Sequence, residues 1–197
     1  VAIKTSSDSL TKEAEESLIF NAAEVELNAR EDLNFLAALS IPEVYESPFP
    51  AFYLGLWSYM TKAAWDTSRK VYQLAIGLPR GHAKTTWVKL YILFLILFTD
   101  RSYILVIGSN TTRAEAIIAD IEAMLDSWNI QTVFGNWRAG ITKNRQDEKI
   151  FHFRNRTIIL AAAGQGTAVR GANRNFKRPD VIILDDAQTS KGADSIS

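Results

Sequence analysis

Val71-Tyr-Gln-Leu-Ala-Ile-Gly-Leu-Pro-Arg-Gly-His-Ala-Lys-Thr-Thr86 joins an apolar run to a glycine-bearing turn and the start of a helix. Val71 to Ile76 has the apolar, β-prone content of a strand. Gly77 to Gly81 is turn material, and an apolar helix follows from about Lys84 to Phe98. A strand that passes through a glycine-bearing loop into a helix offers backbone N–H groups and a helix N-terminus to an anion. Lys84 in that position reaches β- and γ-phosphates, and the Thr85 hydroxyl ligates Mg²⁺. The match to G-x-x-x-x-G-K-[ST] is imperfect: Ala83 precedes the lysine, and position 78 is Leu. Gly77 and Gly81 supply part of the backbone freedom. The expected nucleotide-binding set is Gly77, Arg80, Gly81, His82, Ala83, Lys84, Thr85 and Thr86. The simpler alternative is an ordinary strand–turn–helix.

Downstream, Tyr103 to Ile107 is a continuous apolar run ending in Gly108-Ser-Asn110, which predicts a buried strand entering a loop. Thr111 to Trp128 is amphipathic with helical spacing. Lys149 to Phe153 and Thr157 to Ala162 flank Arg154-Asn-Arg156 as a hairpin. Val181-Ile-Ile-Leu184 is another apolar strand, and Asp185-Asp186 follow it. An apolar strand ending in two acids has the Walker B form. Asp185 would hold Mg²⁺ through water, and Asp186 would polarise the attacking water. Capping of a following helix is the alternative use for such acids. Alternating strands and helices predict right-handed crossovers, a largely parallel sheet and helices on both faces. Upstream, helices are expected over Ser9–Leu27, Arg30–Leu39 and Phe52–Thr67, with Pro42, Pro48 and Pro50 punctuating a linker.

The chain has 197 residues, with 22 Lys+Arg against 22 Asp+Glu, no cysteine and two histidines, His82 and His152. Thiolate chemistry is excluded and a His-rich metal centre is disfavoured. The zero net charge conceals a division: residues 1–46 hold ten acids and three bases, and residues 47–197 hold 19 bases and 12 acids. Arg138 to Arg178 alone carries ten bases against Asp147 and Glu148. Such segregation suits a surface that handles a polyanion. Phosphate contacts are expected from Lys143, Arg145, Arg154 and Arg156, and His152 is expected to be structural. Leu90 to Phe98, nine apolar residues, reaches roughly 14 Å as a helix, about half a bilayer core. It predicts a buried helix in a soluble, cytosolic protein without a signal peptide.

These residues resemble the ATPase domain of tailed-bacteriophage terminase large subunits, the genome-packaging motors. Pro79-Arg-Gly-His-Ala-Lys-Thr85 is similar to that family's deviant Walker A loop. Ile107-Gly-Ser-Asn-Thr-Thr-Arg-Ala-Glu115 is similar to its segment after the second strand. Gly164-Gln-Gly-Thr-Ala-Val-Arg-Gly171, Arg178-Pro-Asp180 and the run to Asp186 are similar to its approach to Walker B. The likeness covers about residues 50–190. It implies an ASCE-type P-loop NTPase, a three-layer αβα α/β fold with a mostly parallel sheet. A helical arm or lid (residues 1–68) would precede the ATPase core (residues 69–197).

The resemblance further implies an ATPase that hydrolyses ATP with Mg²⁺ to drive double-stranded DNA into a procapsid. Lys84, Asp186, Arg80 and Arg170 would be catalytic, with Thr85 and Asp185 at the metal. Arg80 would sense the γ-phosphate, and Arg170 would act in trans on a neighbour's ATP, with Arg174 the second choice. Implied partners are duplex DNA, the portal protein, the small terminase subunit and further copies in a ring, usually a pentamer, and no membrane. The implied location is the host cytoplasm, transiently at the procapsid portal. Two departures matter. Neither the family's C-terminal nuclease nor the coupling motif after Walker B follows Asp186, so the chain reads as a piece cut at or within the ATPase domain. Competing readings are a P-loop kinase or other small-molecule nucleotide enzyme, and a non-catalytic nucleotide-binding module.

Overall fold

Alternation along an interior strand of the sheet, β1 (Tyr103–Gly108), sorts the core into two faces. Ile104 and Val106 join the main apolar cluster, whereas Tyr103, Leu105 and Ile107 form a second cluster with Ile159 and Ala161. A computed structural model describes residues 12–66, 73–79, 81–166 and 178–186, with side chains from residue 21 onward. In chain order it contains α1 (Lys12–Glu31), α2 (Leu33–Ser40), α3 (Ala51–Trp65), α4 (Lys84–Phe98), β1, α5 (Thr111–Asp126) and α6 (Trp128–Phe134). A 3-10 turn (Trp137–Gly140) then leads to β2 (Ile141–Asn144), β3 (Glu148–Phe153), β4 (Arg156–Gly164) and β5 (Val181–Leu184).

The fold is α/β, with an open, mixed sheet of five strands in the order β2-β3-β4-β1-β5. β1 pairs in parallel with β4 on one side and β5 on the other, and β2–β3 and β3–β4 are antiparallel. The expectation of a mostly parallel sheet is therefore corrected: half of the pairings are antiparallel. The reason is local. The β3–β4 hairpin turns at Arg154 (φ 48°) and Asn155 (φ 62°), both left-handed, and tight turns join antiparallel strands.

Helices on both faces are also not observed among the described residues. All six helices contribute only to the cluster that contains Ile104 and Val106. At the centre of that cluster lies α4, whose residues Leu90 to Phe98 are all buried. An all-apolar helix has no face to offer water and is stable only when surrounded. Each large side chain so buried contributes about 1.5–3 kcal/mol. Ala29, Leu33, Leu36, Tyr53 and Trp57 from the first three helices belong to the same cluster.

Two further expectations change. Residues 73–76 of the anticipated Val71–Ile76 strand are not in a strand, and Val71 and Tyr72 lie outside the described residues. Leu74 is 45% exposed, and no described strand pairs with this segment. Apolar content alone does not make a strand, and among the described residues no ladder partner meets this segment. The anticipated Thr111–Trp128 helix breaks at Ser127, whose hydroxyl accepts from the Ile130 N–H and starts α6. The first expected helix runs instead to Glu31, and Asp32 caps α2 by accepting from Asn34 and Phe35 N–H groups. Ser9 lies outside the described residues.

Candidate functional site

Two segments a hundred residues apart meet at the start of α4. The Thr85 hydroxyl lies 3.2 Å from Asp185 Oδ2, and Lys84 Nζ lies 3.5 Å from Asp186 Oδ1. Sequence position explains how each arrives. Lys84 and Thr85 open α4. Asp185 and Asp186 follow the last residue of β5, and Asp185 N–H donates to the Ile107 carbonyl, extending the ladder by one bond. Asp186 then adopts a left-handed backbone (φ 44°), a conformation that Asp tolerates better than most residues. Its carboxylate turns toward Lys84.

Two described residues of the loop ahead of α4 have left-handed backbone. Gly81 is left-handed at φ 82°, and Ala83, the N-cap residue, is left-handed at φ 52°, ψ 25°. Ala83 has no side chain with which to cap the helix, and the first turn contains no acid. The positive end of the helix dipole therefore meets neither a side-chain cap nor a first-turn carboxylate of its own helix. A Cβ built on Gly77 or Gly81 meets nothing within 4 Å, so open space surrounds the loop. His82 and Ala83 are exposed, and Thr85 and Thr86 are half-buried. Lys84 is 29% exposed and Asp186 57% exposed, so their ion pair is open to water and to replacement. Arg80 lies outside the described residues, as do Arg170 and Arg174.

This donor set fits a nucleotide with its Mg²⁺. A lysine, a helix N-terminus, a hydroxyl and two carboxylates converge on one point, and the hydroxyl and one carboxylate already face each other. Among the described residues no group of three His, Cys, Asp or Glu could hold a metal by itself. A P-loop Mg²⁺ needs no such group, because phosphate oxygens and water complete its shell.

The basic stretch is organised differently. Arg154 pairs with Glu26 of α1 and lies 5.3 Å over the Phe134 ring. Lys143 pairs with the buried Glu148, and Arg145 grips Asp147 through two bonds of 2.9 and 3.1 Å. Arg156 donates to the Leu95 and Ile96 carbonyls at the C-terminus of α4. Burial lowers the pKa of its guanidinium. Arg138 is held by Asp126, a bond that raises its pKa, and Lys149 lies 3.1 Å from Glu122. Six of the ten bases between Arg138 and Arg178 thus have intramolecular partners. Arg178 is exposed, and Arg170, Arg174 and Lys177 lie outside the described residues. His152 meets the Thr157 hydroxyl at 3.1 Å on the hairpin.

Two residues unnoticed in the sequence support the site. Asp180 Oδ2 accepts from Ser102 N–H, Ser102 hydroxyl and Tyr103 N–H at 2.8–3.0 Å. It locks the start of β5 to the start of β1. Tyr53, on α3, donates its hydroxyl to the His82 carbonyl in the loop. An acid immediately before an apolar strand was the available signal for Asp180. Tyr53 carried none, since an aromatic at helical spacing reads as core. Comparison with models of known protein families gives no match, and no curated protein compared with the chain matches it.

Proposed function

We propose that this chain is a Mg²⁺-dependent ATPase of the P-loop type and that it works as the ATPase domain of a viral genome-packaging motor. One observation carries the first part: Thr85 faces Asp185 and Lys84 faces Asp186, across a hundred residues of chain. The motor assignment rests on the resemblance of the three motifs to terminase large subunits. Bound Mg-ATP would supply the electrophilic γ-phosphoryl group and its partial charge neutralisation. Lys84 would leave Asp186 and bind phosphate oxygen, and the Thr85 hydroxyl and Asp185 would hold the metal. Asp186, released from the lysine, would orient the attacking water. Nucleotide phosphate would therefore compete with Asp186 for the lysine. Arg80 and Arg170 would add positive charge to the transition state, Arg170 from a neighbouring copy. Of the four bases expected on DNA, Arg145, with a 64% exposed side chain, is the one a duplex reaches with least rearrangement.

The test is ATP hydrolysis with Mg²⁺, with and without duplex DNA, over a range of protein concentrations. Lys84→Ala should reduce turnover at least a hundredfold, on the order of what losing one transition-state donor costs. Its thermal midpoint should barely move, because the Lys84–Asp186 pair is solvent-exposed. A ring motor predicts activity that rises steeply with protein concentration and falls in Arg170→Ala. Phosphotransfer to a small acceptor by the monomer would instead establish the kinase reading. Unchanged behaviour in Lys84→Ala would leave only a binding module.

A further inference from the structure

We infer that Tyr53 is a positioning residue for the phosphate loop, setting the direction of the Ala83 N–H through a hydrogen bond to the preceding carbonyl. The inference rests on the reading of the loop as a phosphate site. Its origin is in how the ring is held. Tyr53 is 1% exposed and lies in the first turn of α3, where its N–H bonds the Pro50 carbonyl at 2.9 Å. Phe49 meets it edge-on at 5.4 Å, Phe52 lies at 4.4 Å, and Trp87 stacks at 6.1 Å. Trp87 belongs to the first turn of α4, and its N–H bonds the Ala83 carbonyl at 2.9 Å. A ring clamped on three sides has one place for its hydroxyl. That place is the His82 carbonyl.

The consequence follows from the planarity of the peptide. In a trans peptide the carbonyl of one residue and the N–H of the next point in opposite directions. Tying the His82 carbonyl inward to a buried tyrosine turns the Ala83 N–H outward, toward the mouth of the loop. Without that tie the 82–83 peptide can flip, since Gly81 before it is permissive and Ala83 after it is left-handed. A flipped peptide would present a carbonyl, not an N–H, to an anion. Burial raises the pKa of Tyr53, so the hydroxyl keeps the proton it must donate through the neutral range.

The experiment is calorimetric titration of the wild-type chain, Tyr53→Phe and Tyr59→Phe with Mg-ATP, inorganic tripolyphosphate and adenosine, with thermal midpoints recorded for each. Tyr59, 52% exposed on the same helix, is the control. Tyr53→Phe should weaken Mg-ATP and tripolyphosphate alike, by about fivefold to tenfold, the equivalent of one hydrogen bond. Adenosine binding and the Tyr59→Phe titrations should match wild type. Weaker ATP with unchanged tripolyphosphate would place Tyr53 at the base and overturn the inference. Equal affinities in wild type and Tyr53→Phe would overturn it while leaving the phosphate site intact. A wild-type chain that binds neither phosphate compound would remove both.

Discussion

Asp180 shows how much one side chain can organise at the site's foundation. Its single Oδ2 collects two backbone N–H groups and a hydroxyl from the residues that start β1. Those donors enter a nearly closed interior: Ser102 is 8% and Tyr103 1% exposed. Hydrogen bonds to a charged acceptor contribute more than neutral ones, and an orphaned buried donor carries its own desolvation cost. Asp180→Ala should therefore lower stability by about 3 kcal/mol. Denaturant unfolding measures it, and a loss below about 1 kcal/mol would mean that water replaces the carboxylate. Because β5 carries Asp185, the same variant should weaken nucleotide binding without touching the site. The four residues that meet here were legible at this scale, since Lys84, Thr85, Asp185 and Asp186 are singled out by local pattern alone. The supports were less so: Tyr53 and Asp180 act through partners 29 and 77 or 78 residues away, and only Asp180, an acid just before an apolar strand, carries a local signal.

Among elements, α4 connects the site to the rest of the molecule, and its two ends are held differently. The N-terminus has no side-chain cap, since the N-cap residue is Ala83. The C-terminus is closed by Arg156 from β4, which donates to the Leu95 and Ile96 carbonyls. The Leu95 carbonyl also accepts from the Thr99 N–H, whereas the guanidinium gives the Ile96 carbonyl a donor, and its charge complements the negative end of the helix dipole. Arg156→Met keeps the apolar stem but removes the donors, and it should cost about 1–3 kcal/mol in a thermal or denaturant melt. Nucleotide affinity should remain close to wild type, since the loss is at the far end of the helix. Legibility follows the same division between local and distant causes. α4 and β1 begin within a residue of expectation, because an all-apolar helix and an all-apolar strand state their burial in sequence. β2 was missed because Ile141-Thr-Lys-Asn144 becomes a strand only through its pairing with β3. Val71–Ile76 misled for the opposite reason: the composition favours a strand, and no described neighbour pairs with it.

For the whole molecule, the aromatic side chains form one continuous body rather than scattered contacts. Tyr53, Trp87, Tyr91, Phe94, Phe98 and Phe134 neighbour one another in succession from the loop ahead of α4 to α6, with Trp57 edge-on to Trp87, Tyr91 and Phe94. Tyr91 lies within this body, 7% exposed, and its hydroxyl donates to the Met60 carbonyl at 3.3 Å. Burial pushes its pKa from 10.0 up to about 12, with Arg101 pulling weakly the other way. A raised folded-state pKa favours the folded chain only while the tyrosine stays protonated. That contribution is complete below pH 10 and is lost as pH climbs from 10 to about 12. Two pKa units correspond to roughly 2–3 kcal/mol. Unfolding free energy should fall over that alkaline window, and Tyr91→Phe should flatten the fall. A wild-type profile no steeper than that of Tyr91→Phe would show that the hydroxyl ionises without cost. No helix among the described residues is long and apolar enough to cross a membrane, and the apolar content of α4 is spent on this interior instead.

The outer side of β5 has a consequence for handling the protein. β5 pairs with β1 alone among the described strands, and Ile182 and Leu184 are 51% and 67% exposed. A short, uncharged, apolar strand with no described neighbour on its outer side invites growth by a strand from another molecule. Warming or concentrating the chain should therefore deplete monomer through cross-β association, seen as rising light scattering and thioflavin fluorescence. Ile182→Lys places a charge on that margin and should suppress both signals, leaving ATP affinity as it was. Equal scattering in Ile182→Lys and wild type would place the source of clumping elsewhere on the surface.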